Sequence, residues 1–172
     1  RVGADIICYM NGYNDPRREK MFTTVKVKET VGGKPTDVDG YAGVRIGIDV
    51  PNKDNVKDRY SKPITSTTSP YMWINAAEIT FLRAEGALRG WSMGGEAKTL
   101  YEQAINLSFE QYGASGADTY IADATSQPQA YTDPTGSYSA GQTSSITIAW
   151  QDGSSNDEAN LERIITQKWI AM

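Results

Sequence analysis

The chain has 172 residues, of which 39% are hydrophobic, with a formal net charge of −4 and a pI near 4.9. An acidic chain without clustered Lys and Arg disfavours nucleic-acid binding. Histidine is absent, which excludes Ser-His and Cys-His dyads, histidine acid/base chemistry and nearly all common zinc sites. No apolar run reaches the roughly 18 residues that a membrane span requires.

Residues 1–70 are predicted to be a loop-rich segment with short β-like runs. Apolar or alternating stretches at 6–10, 22–28 and 44–50 indicate strands, and the pair Gly32 and Gly33 indicates a turn between two of them. The single cysteine, Cys8, lies in the first run and is expected to be a small buried hydrophobe. The polar, proline-containing stretch 51–70 is expected to be a loop.

Residues 71–113 have the layout of one tetratricopeptide-like helical hairpin. The first helix is expected to start at Pro70 or after Asn75 and to have neighbours on both sides, because it is apolar on more than one face. Trp73 and Trp91 flank this helix and are expected to pack between helices. The second helix carries one apolar stripe and ends at Gly113: Ala97, Leu100, Tyr101, Ala104, Ile105, Ser108 and Tyr112. Helical repeats are interaction scaffolds, so the hairpin favours binding over catalysis.

Residues 114–155 form a long Ser-, Thr- and Gly-rich excursion, and loops of such length are usually functional or disordered. At 155–158 a capping-box pattern precedes a third amphipathic helix over 156–172. The four segments are expected to form one domain, mainly α with long irregular loops and a small β-like segment. The lack of an initiating Met and the apolar last turn predict that the chain is a fragment.

Five motifs in the same order resemble the SusD/RagB family. They are Asn-Asp-Pro-Arg at 14–17 with Met-Phe at 21–22, the glycine-flanked stretch 40–47, Ala-Glu at 77–78 with Phe-Leu-Arg-Ala-Glu-Gly-Ala-Leu-Arg-Gly-Trp at 81–91, Tyr-Glu-Gln-Ala-Ile at 101–105, and Ile-Thr-Gln-Lys-Trp-Ile-Ala at 165–171. The resemblance covers nearly the whole chain. It implies a SusD-like α-α superhelix and a non-enzymatic, surface-exposed outer-membrane lipoprotein of the Bacteroidetes, without a cofactor.

The resemblance also implies partners. Family members bind a glycan or other nutrient and pass it to a SusC-like TonB-dependent outer-membrane transporter. The lipid anchor that the family carries is expected outside this fragment, since its N-terminal cysteine is not in the chain.

Glycan recognition uses aromatic rings as platforms for sugar C–H faces, together with planar polar groups that hydrogen-bond hydroxyls. Such residues are expected on loops rather than in the helical frame. The predicted ligand-binding residues are therefore Tyr41, Arg45, Tyr60, Tyr131, Tyr138 and Trp150.

Several alternatives compete with this hypothesis. Asp15, Arg17 and Arg18 are interpreted as a paired turn rather than a ligand clamp. Oxygen-bearing residues at 37–40 and 52–58 resemble calcium ligands, but an EF-hand frame fails because Pro35 and Ile46 occupy its ligand positions. A carbohydrate-active enzyme is weakened by the roughly 10 Å rise between Glu78 and Glu85 on one helix. A tetratricopeptide-type scaffold for peptides remains the main alternative.

Overall fold

The computed structural model describes residues 1–49 and 57–172, and its residues form two compact units. The first comprises Arg1–Ser66 and Pro128–Ser145, and the second comprises Thr67–Gln127 and Ile146–Met172. The described residues are rich in helix and include a small two-stranded sheet. Among them, no helix is both long and apolar enough to cross a lipid bilayer.

The first unit begins with two helices, α1 at Ala4–Gly12 and α2 at Arg18–Met21. The strand predicted at 6–10 is wrong, because these residues lie inside α1. Ile7, Cys8 and Met10 are all buried, and positions 6–10 form an unbroken apolar run. A short apolar run of this kind has the same pattern in a buried strand and in a buried helix. The expectation that Cys8 is buried is confirmed.

A β-hairpin follows, with β1 at Val25–Val31 and β2 at Lys34–Gly40 paired antiparallel. The turn predicted at Gly32 and Gly33 is confirmed. Both glycines have positive φ, 58° and 80°, which a two-residue hairpin turn of the favoured twist requires. The strand predicted at 22–28 starts later than expected, because Phe22 forms only an isolated bridge with Pro63.

The strand predicted at 44–50 is wrong over 44–49, and position 50 lies outside the described residues. Val44 alone forms a parallel bridge, with Gly3. Its N–H donates to the Val2 carbonyl at 2.8 Å, and its carbonyl accepts from the Ala4 N–H at 2.8 Å. The chain then turns at Gly47, whose φ is 80°, so Val44, Ile46 and Ile48 do not form a ladder.

The second unit contains the predicted helical hairpin, α3 at Ala76–Leu88 and α4 at Ala97–Tyr112. Asn75 is the N-cap of α3: its side-chain oxygen accepts from the Ala77 N–H at 2.7 Å. Gly113 ends α4 in the left-handed conformation, as its position after the last apolar residue predicts. The rings of Phe81 and Tyr101, with centroids 6.1 Å apart, join the two helices.

The third predicted helix is confirmed as α6, Asp157–Ala171; a short helix at Ala117–Ile121, named α5, precedes it along the chain. The Asn75 side-chain N–H donates to the Ala171 carbonyl at 2.8 Å, which ties the end of α6 to the start of α3. The capping box is not formed. A 3-10 turn at Ser154–Asn156 leads directly into α6, with no side-chain bond at its cap.

The prediction that Trp73 and Trp91 pack between helices is wrong, because their exposed fractions are 87% and 63%. α3 packs on α4 and α6 through one face, while Ile79 and Leu82 on its other side are exposed. The expectation that α3 has neighbours on both sides is therefore not met within the described residues.

Candidate functional site

A buried carboxylate organises the loops of the first unit. Asp133 is 3% exposed. Its Oδ1 accepts from the Tyr60 hydroxyl at 2.9 Å and lies 3.2 Å from the Tyr131 hydroxyl. Its Oδ2 accepts from the Thr135 hydroxyl and from the Ser137 and Tyr138 N–H groups, the latter two at 3.2 and 3.3 Å. One carboxylate therefore holds the 131–140 loop closed and links it to the segment before α3.

The ionisation of this cluster follows from its burial and hydrogen bonds. Burial alone raises the pKa of Asp133, but hydrogen bonds from Thr135, Tyr60 and Tyr131 outweigh it and hold that pKa below its usual value. Burial, with the hydrogen bond to the Asp133 carboxylate, raises the pKa of Tyr60 to about 12. Burial likewise raises the pKa of Tyr131, aided by the charge of Asp133. At neutral pH the cluster is thus one carboxylate with two neutral phenols.

The predicted residues Tyr60 and Tyr131 are buried, at 1% and 8% exposure. Tyr131 also lies 2.9 Å, through its hydroxyl, from the Gly43 carbonyl oxygen. Its backbone pairs with Ala140 in an isolated bridge. Tyr60 therefore offers no open ring face to a ligand, whereas Tyr131 lines part of a cavity.

A small cavity of about 140 Å³ opens beside α1 in the first unit. Its floor is formed by small or apolar side chains, and polar side chains stand around it. The lining residues are Ala4, Asp5, Cys8, Arg45, Gln129, Tyr131, Ala140, Gly141 and Thr143. Ala4, Cys8 and Tyr131 form one packed cluster, against which Ala140 also packs.

Arg45, predicted to bind ligand, lines this cavity, whereas Tyr138, also predicted, is not among the lining residues and contacts Arg45 through its backbone. The exposed Arg45 side chain donates from Nη1 to the Tyr138 carbonyl at 3.1 Å. The half-buried Tyr138 donates its hydroxyl to the Asp49 carbonyl at 3.3 Å. Since this bond fixes only part of the guanidinium, Arg45 keeps N–H groups that can reach a ligand.

Tyr41 lies elsewhere in the first unit and is half-buried. The Arg18 guanidinium stands 4.5 Å above the centroid of its ring, a cation–π arrangement that covers one face. Arg18 is itself held by Asn11, whose side-chain oxygen accepts from Nη1 at 2.7 Å. Tyr41 can therefore offer a sugar only its other face.

Trp150 belongs to the second unit, so the structure does not bring it together with the other five candidates. It is half-buried, and its ring centroid lies 5.5 Å from that of Tyr101. Tyr101 in turn donates its hydroxyl to the Ile148 carbonyl at 2.8 Å. Trp150 thus packs over the start of α4 with one edge accessible.

The interpretation of Asp15 and Arg17 as a paired turn is confirmed. Both side chains are 0% exposed, and Arg17 Nη2 lies 2.6 Å from Asp15 Oδ2. Asp15 Oδ1 also accepts from the Arg17 backbone N–H at 2.9 Å and from Nε at 3.0 Å. No polar atom of Asp15 is left to meet a ligand, so the pair is a structural clamp.

Some of the carboxylates considered for calcium or for hydrolysis are paired with cations, and Asp58 is exposed in a turn. On the hairpin, Asp37 pairs with Lys28 at 3.0 Å and Asp39 with Lys26 at 2.9 Å. On α3, Glu85 pairs with Arg89 at 2.9 Å. Asn52 and Asp54, the other proposed calcium ligands, lie outside the described residues. Over residues 1–49 and 57–172, no three acidic, Cys or His side chains cluster as a metal site would require.

Sequence reasoning missed Asp133 and the polar residues around the cavity, Asp5, Gln129 and Thr143. A local signal existed for Asp133, because the sequence Thr-Asp-Pro-Thr-Gly at 132–136 is a typical turn in which Asp accepts backbone N–H groups. Asp5, Gln129 and Thr143 come from three separate segments, and no local pattern brings these together.

Comparison with known proteins places this chain among relatives of established fold. The family model described as SusD-like, "Susd and RagB outer membrane lipoprotein", matches residues 1–172. None of the curated proteins gives a significant match. The family description names its members as outer-membrane lipoproteins.

Solved SusD homologues superpose on the chain over nearly its full length. One from Bacteroides thetaiotaomicron is 54% identical, with a TM-score of 0.90, and the match covers 99% of this chain and 35% of that protein. One from Bacteroides uniformis is 46% identical, with a TM-score of 0.83, and the match covers 98% and 33%.

A chitin-binding SusD homologue from Flavobacterium johnsoniae is 43% identical, with a TM-score of 0.82, and the match covers 99% and 34%. The chain therefore spans about a third of the length of these solved relatives. With a family match over every residue and identities well above 30%, the chain belongs to the SusD-like family of outer-membrane lipoproteins.

Proposed function

We propose that the whole protein containing this chain is a surface-exposed lipoprotein that captures a glycan and passes it to a TonB-dependent outer-membrane transporter. The observation that carries the proposal is that Arg45 and Tyr131 line one cavity of the first unit, with Tyr138 joined to Arg45 through its backbone carbonyl. Family membership supports it, since the relative from Flavobacterium johnsoniae is a chitin-binding protein.

The two kinds of structure in the chain have different roles in this proposal. Helices α3, α4 and α6 pack together in the second unit, and in this proposal they serve as a tetratricopeptide-like frame. The loops of the first unit carry the ligand contacts, with Arg45 and Tyr138 exposed to solvent at least in part. Tyr60 and Tyr131 act through Asp133, by holding the 131–140 loop in one conformation.

Ligand recognition in this proposal makes and breaks no covalent bond. Aromatic rings and the Arg45 guanidinium bind hydroxyl and C–H faces, and release depends on the transporter. In the first unit, Tyr41 contributes the ring face that Arg18 leaves uncovered. Trp150 belongs to the second unit and is a separate candidate.

The test is a binding screen on the whole protein by affinity electrophoresis, with plant, host and microbial polysaccharides. We expect retarded migration in at least one glycan and no release of reducing sugar from it. Sugar release would show an enzyme, and the absence of any retardation would contradict glycan capture.

The transporter partnership is tested separately by co-purification from outer membranes. A β-barrel transporter recovered in stoichiometric amounts supports the proposal. Recovery of soluble peptide-bearing proteins in its place would favour a tetratricopeptide-type scaffold.

A further inference from the structure

We propose that the cavity beside α1 binds the acetamido group of an N-acetylated sugar. The proposal rests on the glycan-binding function proposed above and names the part of the ligand that this cavity selects. Three properties of the cavity support the proposal: its small volume, its floor of small apolar side chains, and a polar rim whose charges cancel.

The size of the cavity limits what can enter. Pockets that enclose a whole drug-sized ligand measure about 300–1,000 Å³, whereas this cavity measures about 140 Å³. A sugar chain can therefore lie across its mouth while one substituent enters. The cavity therefore recognises the substituent and not the whole sugar.

The floor favours a methyl group. It is formed by Ala4, Cys8 and Ala140, side chains that are small and pack on one another around the Tyr131 ring. Burial raises the pKa of the Cys8 thiol to about 11, with a smaller contribution from the nearby Asp5 carboxylate. Cys8 is therefore a protonated thiol at neutral pH and behaves as apolar surface.

The rim offers both an acceptor and donors. The Asp5 carboxylate accepts hydrogen bonds, and none of the described residues forms a hydrogen bond or ion pair with it. Arg45 supplies guanidinium N–H groups, and the Thr143 hydroxyl can donate or accept. One negative and one positive side chain give no net charge, which suits a neutral ligand group better than an ammonium or a carboxylate.

An acetamido group matches this set of contacts. Its methyl fits the floor, its N–H donates to Asp5, and its carbonyl accepts from Arg45 and from the Thr143 hydroxyl. A hydroxyl in the same place would satisfy one or two rim groups but would leave the apolar floor against water or empty space. The cavity should therefore discriminate between sugars that differ only at this substituent.

The experiment compares two β-1,4-linked oligosaccharides of equal length by isothermal titration calorimetry on the whole protein. One is the N-acetylglucosamine oligomer and the other is the glucose oligomer, which lacks the acetamido group. We expect the N-acetylated oligomer to bind at least about ten-fold more tightly, the range in which a small apolar pocket discriminates.

Variants of the floor and rim then test whether the preference for the N-acetylated oligomer arises at this cavity. Ala140→Leu fills the cavity, and Thr143→Val removes a polar rim group on an exposed loop; each should reduce the preference to less than about three-fold. Ala130→Leu is the matched control, because Ala130 is exposed near Tyr131 and does not line the cavity. It should leave both affinities unchanged. Thermal melting of each variant shows whether it is folded. If Ala140→Leu does not fold, the affinities of Thr143→Val alone decide the test.

Two results overturn the proposal while glycan binding itself stands. The first is equal or tighter binding of the glucose oligomer, or binding only of another glycan without acetamido groups. The second is a preference that both folded cavity variants retain. If no glycan of any kind binds the whole protein, the proposed function fails together with this inference.

Discussion

Asp133 and Arg45 belong to neighbouring loops of the first unit, and their surroundings give them opposite roles. Asp133 is surrounded by five hydrogen-bond donors within its own unit, from Tyr60, Tyr131, Thr135, Ser137 and Tyr138. Arg45 is exposed, and its side chain donates to the backbone carbonyl of Tyr138. The buried charge therefore serves the fold, and the exposed one is available to a ligand.

Asp133→Asn tests the structural role of the buried carboxylate. The amide can accept at one atom only, so at least one buried donor loses its partner, and we expect a loss of about 1–3 kcal/mol in unfolding free energy at neutral pH. The measurement is urea denaturation of both proteins.

The same pair of proteins gives a pH dependence with a defined sign. The folded-state pKa of Asp133 lies below its ordinary value of 3.8. Its stabilisation is therefore fully present above pH 3.8 and is lost as the pH falls through the lowered pKa. The difference between wild type and Asp133→Asn should shrink on acidification below pH 3.8. Asp123, whose pKa burial would raise but hydrogen bonds from Ser126 and Thr125 lower to about 2, contributes equally to both proteins. A difference that stays constant would contradict this assignment.

Arg17→Met tests the buried clamp. It leaves the fully buried Asp15 carboxylate without its cation, and a loss of about 3–5 kcal/mol is expected from an uncompensated buried charge. The double variant Asp15→Asn with Arg17→Met removes both charges and should lose less than the single variant. If the two lose equal stability in chemical denaturation, the charge of Asp15 is not what makes the single variant unstable.

At the scale of helices and strands, the sequence predicted the long amphipathic elements and missed those whose pattern depends on their surroundings. The apolar stripe of α4 and the glycine after it define both its face and its end. α1 was misread because positions 6–10 are an unbroken apolar run, and a short run of this kind does not distinguish a buried strand from a buried helix. β2 was missed because its sequence, Lys-Pro-Thr-Asp-Val-Asp-Gly, is polar and its strand is mostly exposed.

The candidate site was predictable only in part, for the same physical reason. Aromatic and guanidinium side chains on loops can be proposed by residue type, which is how Arg45 and Tyr138 became candidates. Which of them remain open depends on contacts between distant segments, such as the bond from Tyr60 to Asp133 across 73 positions. Conversely, Trp73 was expected to pack between helices, but its side chain is exposed.

Asn75→Ala tests the junction between α3 and α6. The side chain caps α3 and also donates to the Ala171 carbonyl, so we expect a loss of about 1–3 kcal/mol in thermal or urea denaturation. Asn75→Ser is the matched control, because serine retains the cap but not the donor to Ala171. It should lose distinctly less than Asn75→Ala. A serine variant as unstable as the alanine variant would show that the bond to α6, and not the cap, stabilises this junction.

At the scale of the whole molecule, the chain is assembled from two units that share the 114–155 excursion. Residues 128–145 of that excursion belong to the first unit, while its flanks belong to the second. The excursion thus brings Tyr131, Tyr138 and Ala140 to Arg45 and α1. The predicted long loop is therefore the segment that completes the cavity.

The central claim is that the first unit binds glycan through its loops. The most direct measurement is isothermal titration calorimetry of the whole protein with a glycan from the binding screen, comparing wild type with Arg45→Ala. Arg89→Ala, which removes an exposed arginine of α3, is the control. The account predicts that Arg45→Ala weakens binding about ten-fold or more, the effect of losing a hydrogen bond from a charged donor, while Arg89→Ala changes nothing. Unchanged affinity in folded Arg45→Ala would contradict it.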